Sequence, residues 1–147
     1  MTYENLRLIR NLRSEMGAHP VYALDVNTGD LKWKFKTGHR VWATPLIVGG
    51  TVYIGSMDRH FYALRLEDGG VIWDFRGGGA FASRPALGQD GTLYIGAFDD
   101  KVYALDAKTG SLRWTFPGAN WFWGAVALVD DTLYASDVNG NVYAIDA

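Results

Sequence analysis

An all-β fold of repeated four-stranded sheets is predicted by three observations. Tyr-Ala-Leu or Tyr-Ala-Ile recurs at Tyr22, Tyr62, Tyr103 and Tyr143, spaced by 40, 41 and 40 residues. Trp-x-Phe keeps the same period at Trp33/Phe35, Trp73/Phe75 and Trp114/Phe116. Eighteen Gly and four Pro in 147 residues supply many tight turns.

Each element follows from local pattern. Leu31-Lys32-Trp33-Lys34-Phe35-Lys36 alternates apolar and charged residues, the period of a half-buried strand rather than a helix. Before it, Asp25-Val-Asn-Thr-Gly29-Asp30 is a hairpin loop whose glycine supplies positive φ, echoed at Leu66–Gly70 and Asp106–Gly110. Tyr-Ala-Leu and Trp-x-Phe are therefore neighbouring strands. Upstream, strands over 51–56 and 60–66 flank the turn Met57-Asp58-Arg59-His60. The same slot later holds Phe98-Asp99-Asp100-Lys101 and Asp137-Val-Asn139-Gly140. Residues 44–48 meet Thr51-Val-Tyr53 through Gly49-Gly50.

Each period thus contains strands A, B, C and D, the blade of a β-propeller. The first full unit has A over 44–48, B over 51–56, C over 60–66 and D over 71–76. The second has 84–88, 92–97, 101–106 and 111–116, and a third has 124–129, 132–137 and 141–146 without a D strand. Residues 21–26 and 31–36 are a C and a D strand alone, making thirteen strands, about three blades' worth.

These residues resemble the quinoprotein-like repeat of the pyrroloquinoline-quinone dehydrogenase propellers, Tyr-Ala-x-Asp-x-x-Thr-Gly-x-x-x-Trp. Tyr22-Ala-Leu-Asp25 with Thr28, Gly29 and Trp33 matches it, as does Tyr103-Ala-Leu-Asp106 with Thr109, Gly110 and Trp114. The middle copy departs, with Arg65 for Asp and Asp68-Gly69 for Thr-Gly. The resemblance spans roughly residues 20 to 147 and implies blades docked through their tryptophans. It also implies a family of both dehydrogenases and non-enzymatic binding scaffolds. Quinone-binding relatives are several-fold longer, use calcium and often an adjacent Cys pair, whereas this sequence has no Cys.

Composition narrows the function. With 48% hydrophobic and 14% aromatic residues the chain is globular and not disordered. A net charge of −2 offers no basic excess for nucleic acid or an anionic membrane. No catalytic constellation, metal-ligand spacing or phosphate loop is found, and no cofactor is expected. Asp25-Val-Asn27 and Asp137-Val-Asn139-Gly140-Asn141 lack the Gly and Glu of a calcium loop and read as hairpin turns. The first residues contain no apolar run of signal-peptide type, so the chain as written is expected to be cytoplasmic.

Trp33, Trp73, Trp114, Tyr22, Tyr62, Tyr103 and Tyr143 recur at fixed repeat positions and are assigned to blade packing. Function is sought where the copies differ, in the D–A loops and B–C turns on one face. His39, Arg40, Trp42, Asp58, Arg59, Arg84, Asn120, Trp121 and Trp123 lie there, an Arg- and Trp-bearing composition suited to binding a protein or peptide. Val41, Phe81 and Phe122 are expected to pack inward.

Residues 1–19 form a separate segment, read as a short amphipathic helix or linker with Leu6, Ile9, Leu12 or Arg13, and Met16 on one face. Three blades leave strand edges open, so closure is expected from outside. In one arrangement a head-to-tail dimer forms a six-bladed ring, the D strand over 31–36 of one chain completing the last sheet of the next. In the other the chain is part of a longer propeller. The expected function is a non-enzymatic binding or scaffolding module. The alternatives are part of a quinone-dependent dehydrogenase and a sensor or assembly domain of a larger signalling protein.

Overall fold

The computed structural model describes residues 6–9 and 19–147, and no helix occurs among them. Among the described residues fourteen strands form four antiparallel sheets. The first contains β1 (Leu6–Ile9), β2 (His19–Asp25) and β3 (Leu31–Thr37) in that order. The second is β4 (Leu46–Val48), β5 (Thr51–Gly55), β6 (His60–Arg65) and β7 (Val71–Arg76). The third repeats it with β8 (Ala86–Leu87), β9 (Thr92–Gly96), β10 (Lys101–Asp106) and β11 (Leu112–Pro117). The last has three strands, β12 (Ala127–Val129), β13 (Thr132–Ser136) and β14 (Val142–Asp146). The expected blades are present, with C and D strands close to their predicted bounds.

Two differences have physical causes. Leu6–Ile9, expected within a helix, is a strand that pairs Leu6 with Asp25 and Ile9 with Tyr22. In the full blades Thr51 pairs with Arg65 and Thr92 with Asp106, so β1 occupies the B slot. The open edge of β2 supplies hydrogen-bonding groups that an isolated short helix cannot match. The rest of the expected helix, residues 10–18, lies outside the described residues. The A strands are shorter than predicted. Pro45 and Pro85 stand just before β4 and β8 and have no N–H to donate to a ladder. β3 pairs with β2 of its own chain, the hairpin that the sequence predicts.

The core lies between sheets rather than within them. One apolar cluster joins Val21, Ala23 and Trp33 of the first sheet to Val52, Ile54 and Leu64 of the second. Equivalent clusters, centred on Phe81 and Phe122, fill the next two interfaces. The repeated aromatic residues make these joints. Trp33 Nε1 donates to the Leu66 carbonyl at 2.8 Å, and Trp73 Nε1 to that of Ala107 at 3.0 Å. Phe35 meets Tyr62 edge-on at 5.1 Å, and Phe75–Tyr103 and Phe116–Tyr143 repeat the contact at 5.5 and 5.3 Å. Each blade therefore gives its Trp and Phe to the next one. Gly69 and Gly110 lie under the indoles: a Cβ there would stand 2.6 Å from Trp33 and 2.7 Å from Trp73.

The same hairpins hold the charged residues of the repeat. Asp25 accepts from the amides of Asn27 and Thr28, and Asp106 from those of Lys108 and Thr109. Arg113, bonded to Asp106 at 2.8 Å, holds that carboxyl down at about 2, aided by Thr109. In the second blade the signs are exchanged: Arg65 stands at the aspartate position and bonds Asp68, three residues on, at 2.9 Å.

Candidate functional site

The D–A loops and B–C turns lie at the same end of the sheets, because antiparallel strands put alternate connections on opposite ends. Backbone bonds interlock them. The N–H of Met57 donates to Arg40 O, that of Phe98 to Ala80 O and that of Val138 to Trp121 O, at 2.9, 2.9 and 3.0 Å. Arg40, Ala80 and Trp121 are therefore equivalent, and two residues on so are Trp42, Ala82 and Trp123.

One residue of each loop points inward. Val41, Phe81 and Phe122 are buried, as expected. Gly55 and Gly96 admit the last two, since a Cβ at either glycine would fall 2.5 Å from the phenylalanine Cβ. In the first and third loops the flanking positions are exposed and form the candidate site, whereas Ala80 and Ala82 of the middle loop are buried. Trp42, Trp121 and Trp123 are 38%, 46% and 51% exposed. Trp42 stacks on Trp123 at 5.8 Å with planes 20° apart, although their loops are two blades apart in sequence. Phe98 continues the cluster, lying 5.3 Å from Trp123 and stacked on Trp121 at 5.0 Å with planes 9° apart. The intervening loop places the small Ala82 at the equivalent position, which leaves room for this contact.

Phe98 was not among the residues singled out in the sequence. Its signal was an apolar side chain in a turn that otherwise reads as polar, a place also held by Met57 and Val138. Without the loop stacking, nothing separated it from ordinary turn variation.

The polar candidates are divided. Asp58 Oδ2 accepts from Gly38 N–H and Tyr62 O–H at 2.7 and 2.8 Å, and Oδ1 from His60 N–H at 2.9 Å. It thus pins the D–A loop to the next blade. The arrangement recurs with variation: Tyr103 O–H donates to Asp99 and accepts from Gly78 N–H, and Tyr143 O–H donates to Asp137 and accepts from Ala119 N–H. Burial and Asp99 push the Tyr103 hydroxyl up to about 12, and burial and Asp58 raise that of Tyr62 as well. Asn120 bonds Asn139 at 3.0 Å and caps Trp121 N–H at 2.8 Å. His39 contributes its carbonyl to Thr37 and Ser56. Arg59 has φ of 71° at the tip of its turn and accepts Gly77 N–H with its carbonyl. Arg40, Arg59 and Arg84 have exposed side chains on the same end of the sheets, outside the aromatic cluster.

The arrangement offers stacking surfaces rather than a reaction centre. Among the described residues no group of three His, Cys, Asp or Glu is disposed to hold a metal ion. Two clefts, one lined by Leu87, Tyr94 and Leu128 and the other by Tyr53, Ile72 and Ala107, include A–B turn residues and so open toward the opposite end. No described helix is long and apolar enough to cross a membrane.

Comparison with known proteins agrees with this geometry. The family model described as outer membrane protein assembly factor BamB matches residues 14–80 and 62–147. The crystal structure of BamB from Moraxella catarrhalis superposes with a TM-score of 0.80 at 26% identity, over 97% of this chain and 43% of that one. This chain thus spans less than half the length of that BamB. The computationally designed Ika4 protein superposes with a TM-score of 0.82 at 18% identity, over 99% of this chain and 87% of that one, a likeness of fold. No curated protein matches the chain. With consecutive blades joined Trp to carbonyl and Phe to Tyr, and with the family model covering nearly all of its length, the chain belongs to the BamB-like family of pyrroloquinoline-quinone-type propeller repeats.

Proposed function

We propose that this chain is a non-enzymatic protein-binding propeller module that docks a protein or peptide on its aromatic loop face. Its arc is completed by strands from further polypeptide or from a second copy. The observation that carries the reading is the exposed cluster of Trp42, Trp123, Phe98 and Trp121, held by loops of a rigid scaffold. Large aromatics fixed in place lose little entropy on binding and dominate contact energetics, and Arg40, Arg59 and Arg84 supply the polar surround. Asp58 and Asp137, the acids of that face with the most hydrogen bonds, are spent on loop geometry, which supports a scaffold rather than an acid–base role. Likeness to BamB, an outer membrane protein assembly factor, supports a protein partner.

The partner expected is a segment that presents aromatic or aliphatic side chains to the indoles. Peptides selected from a random library on the intact chain should lose at least about 30-fold in affinity, the range of a hot-spot truncation, on Trp123→Ala. Circular dichroism should show the fold unchanged. Selection of peptides indifferent to both Trp42→Ala and Trp123→Ala would refute the assignment of this face.

A further inference from the structure

At the end of the sheets opposite the aromatic face, three cations are consumed within the chain. Lys32 is paired with Asp25 at 3.2 Å, Arg65 with Asp68 at 2.9 Å and Arg113 with Asp90 at 2.7 Å. At the aromatic end the pattern reverses. Arg40, Arg59, Arg76 and Arg84 are exposed and make no ion pair among the described residues. The acids of the same blade are engaged elsewhere. Asp58 accepts from the Gly38 and His60 amides and the Tyr62 hydroxyl, and Asp74 bonds His60 Nδ1 at 2.7 Å.

The backbone gathers these arginines around the second sheet. Arg59 stands at the tip of the turn between β5 and β6. On one side of that turn the Met57 N–H donates to the Arg40 carbonyl, and on the other the Gly77 N–H donates to that of Arg59, each at 2.9 Å. Arg76 precedes Gly77 and is the cross-strand partner of His60. Arg84 follows in the loop that Gly77 begins, and Phe81 N–H ties that loop to the Ser56 carbonyl at 3.1 Å. The second sheet packs against a neighbour on both sides, so the corner is built wholly from described residues. In the next two sheets the residue equivalent to Arg59 is Asp100 and then Gly140, which makes the positive charge particular to this blade. Trp42 follows Arg40 by two residues, so the corner borders the aromatic stack.

Four like charges at one corner repel one another, and an anion placed among them relieves that repulsion. Guanidinium groups without internal partners surrender no ion pair when a carboxylate arrives, and they can grip it through two parallel hydrogen bonds. A peptide carboxylate suits the corner better than a nucleic-acid strand. The charge is confined to the end of one blade, and the net charge of −2 repels a long polyanion.

We infer that this corner receives the carboxylates of an acidic partner segment whose aromatic side chains lie on the Trp42–Trp123 stack. The inference rests on the aromatic docking face of the proposed function and adds the charge of its occupant. Association with such a segment is faster and tighter at low salt, because the arginines sit at the solvent-accessible rim of the contact.

The probes are two fluorescein-labelled synthetic peptides, Glu-Glu-Trp-Glu-Phe-Glu-Glu and Lys-Lys-Trp-Lys-Phe-Lys-Lys, titrated into the full chain by fluorescence anisotropy at low and high salt. The acidic peptide should bind at least about 30-fold more tightly than the basic one at low salt and lose about tenfold at high salt. The double substitution Arg40→Glu, Arg59→Glu should weaken the acidic peptide about tenfold and strengthen the basic one, an exchange that no folding defect produces. Equal affinity for the two peptides, an acidic peptide indifferent to the double substitution, binding of neither peptide at millimolar concentration, or tighter binding of oligothymidylate than of the acidic peptide would each overturn the inference. Trp123→Ala separates the two readings. If it weakens both peptides alike and neither is preferred, the aromatic face stands and the basic corner fails; if the acidic peptide keeps its full affinity, the corner stands as an acid-binding site and the stacking contact fails.

Discussion

Replacing the turn glycines by alanine, one blade at a time, tests the interblade joint against an internal control. Gly29, Gly69 and Gly110 occupy the same hairpin position with φ of 77°, 72° and 74°, so alanine meets the same left-handed backbone in each. That conformation costs an L-residue about 1 kcal/mol after the entropic gain of losing a glycine. Their surroundings differ. A Cβ at Gly29 meets nothing within 4 Å, whereas at Gly69 and Gly110 it would stand 2.6 and 2.7 Å from an indole carbon. Those rings are fixed by hydrogen bonds of 2.8 and 3.0 Å, so they retreat only by breaking the bond or displacing the neighbouring sheet. Overpacking of this kind costs a further ~1–3 kcal/mol. Urea titrations should therefore show Gly29→Ala destabilised by about 1 kcal/mol and the other two by about 2–4 kcal/mol. In melting temperature each kcal/mol corresponds to roughly 2–4 °C for a chain of this size. Equal losses at all three positions would refute the role assigned to the indole seats.

Acid and aromatic probes test the remaining geometry. Asp106 titrates at about 2 in the folded chain, below its unfolded value near 3.9, so its contribution to stability is present above pH 4 and lost as pH falls toward 2. Asp106→Asn should flatten the urea midpoint over that window and leave the curve's shape near pH 7 unaltered. The Trp42–Trp123 stack predicts an exciton couplet in the far-ultraviolet circular dichroism spectrum. Either Trp42→Phe or Trp123→Phe should remove it, while Trp33→Phe should keep the couplet and cost about 1 kcal/mol through the lost indole hydrogen bond.

How much of this was legible in the sequence depended on whether a residue's role was local. Alternation around Trp33 and the glycine after Asp25 fix strand and turn within ten residues, and their repetition assigns blades. Leu6–Ile9 was illegible because its short apolar run also fits a helical stripe; the vacant edge of β2, a tertiary demand, decides it. The inward set of each D–A loop followed from repeat equivalence, since Val41, Phe81 and Phe122 share one position. The outward set did not. Nothing in the spacing of Trp42 and Trp123 announces that two loops 81 residues apart touch, and nothing in Met-Asp-Arg-His marks Asp58 as the acceptor for Tyr62. Charge on that face was thus readable as composition but not as allegiance.

The handedness of the blade joint also has a consequence for biosynthesis. Because each sheet passes its indole and phenyl rings forward to the sheet that follows, a blade leaves the ribosome with its stickiest surface waiting for sequence not yet made. The next Tyr-Ala-Leu strand covers it about 30 residues later, counting from Trp33 to Tyr62 or from Trp73 to Tyr103. At about 5–20 residues per second that is an exposure of a few seconds, with one such surface open at a time. A polypeptide built the other way round, with acceptors made before donors, would expose the aliphatic face of Val52, Ile54 and Leu64 first instead of the rings. This one relies on translation keeping pace.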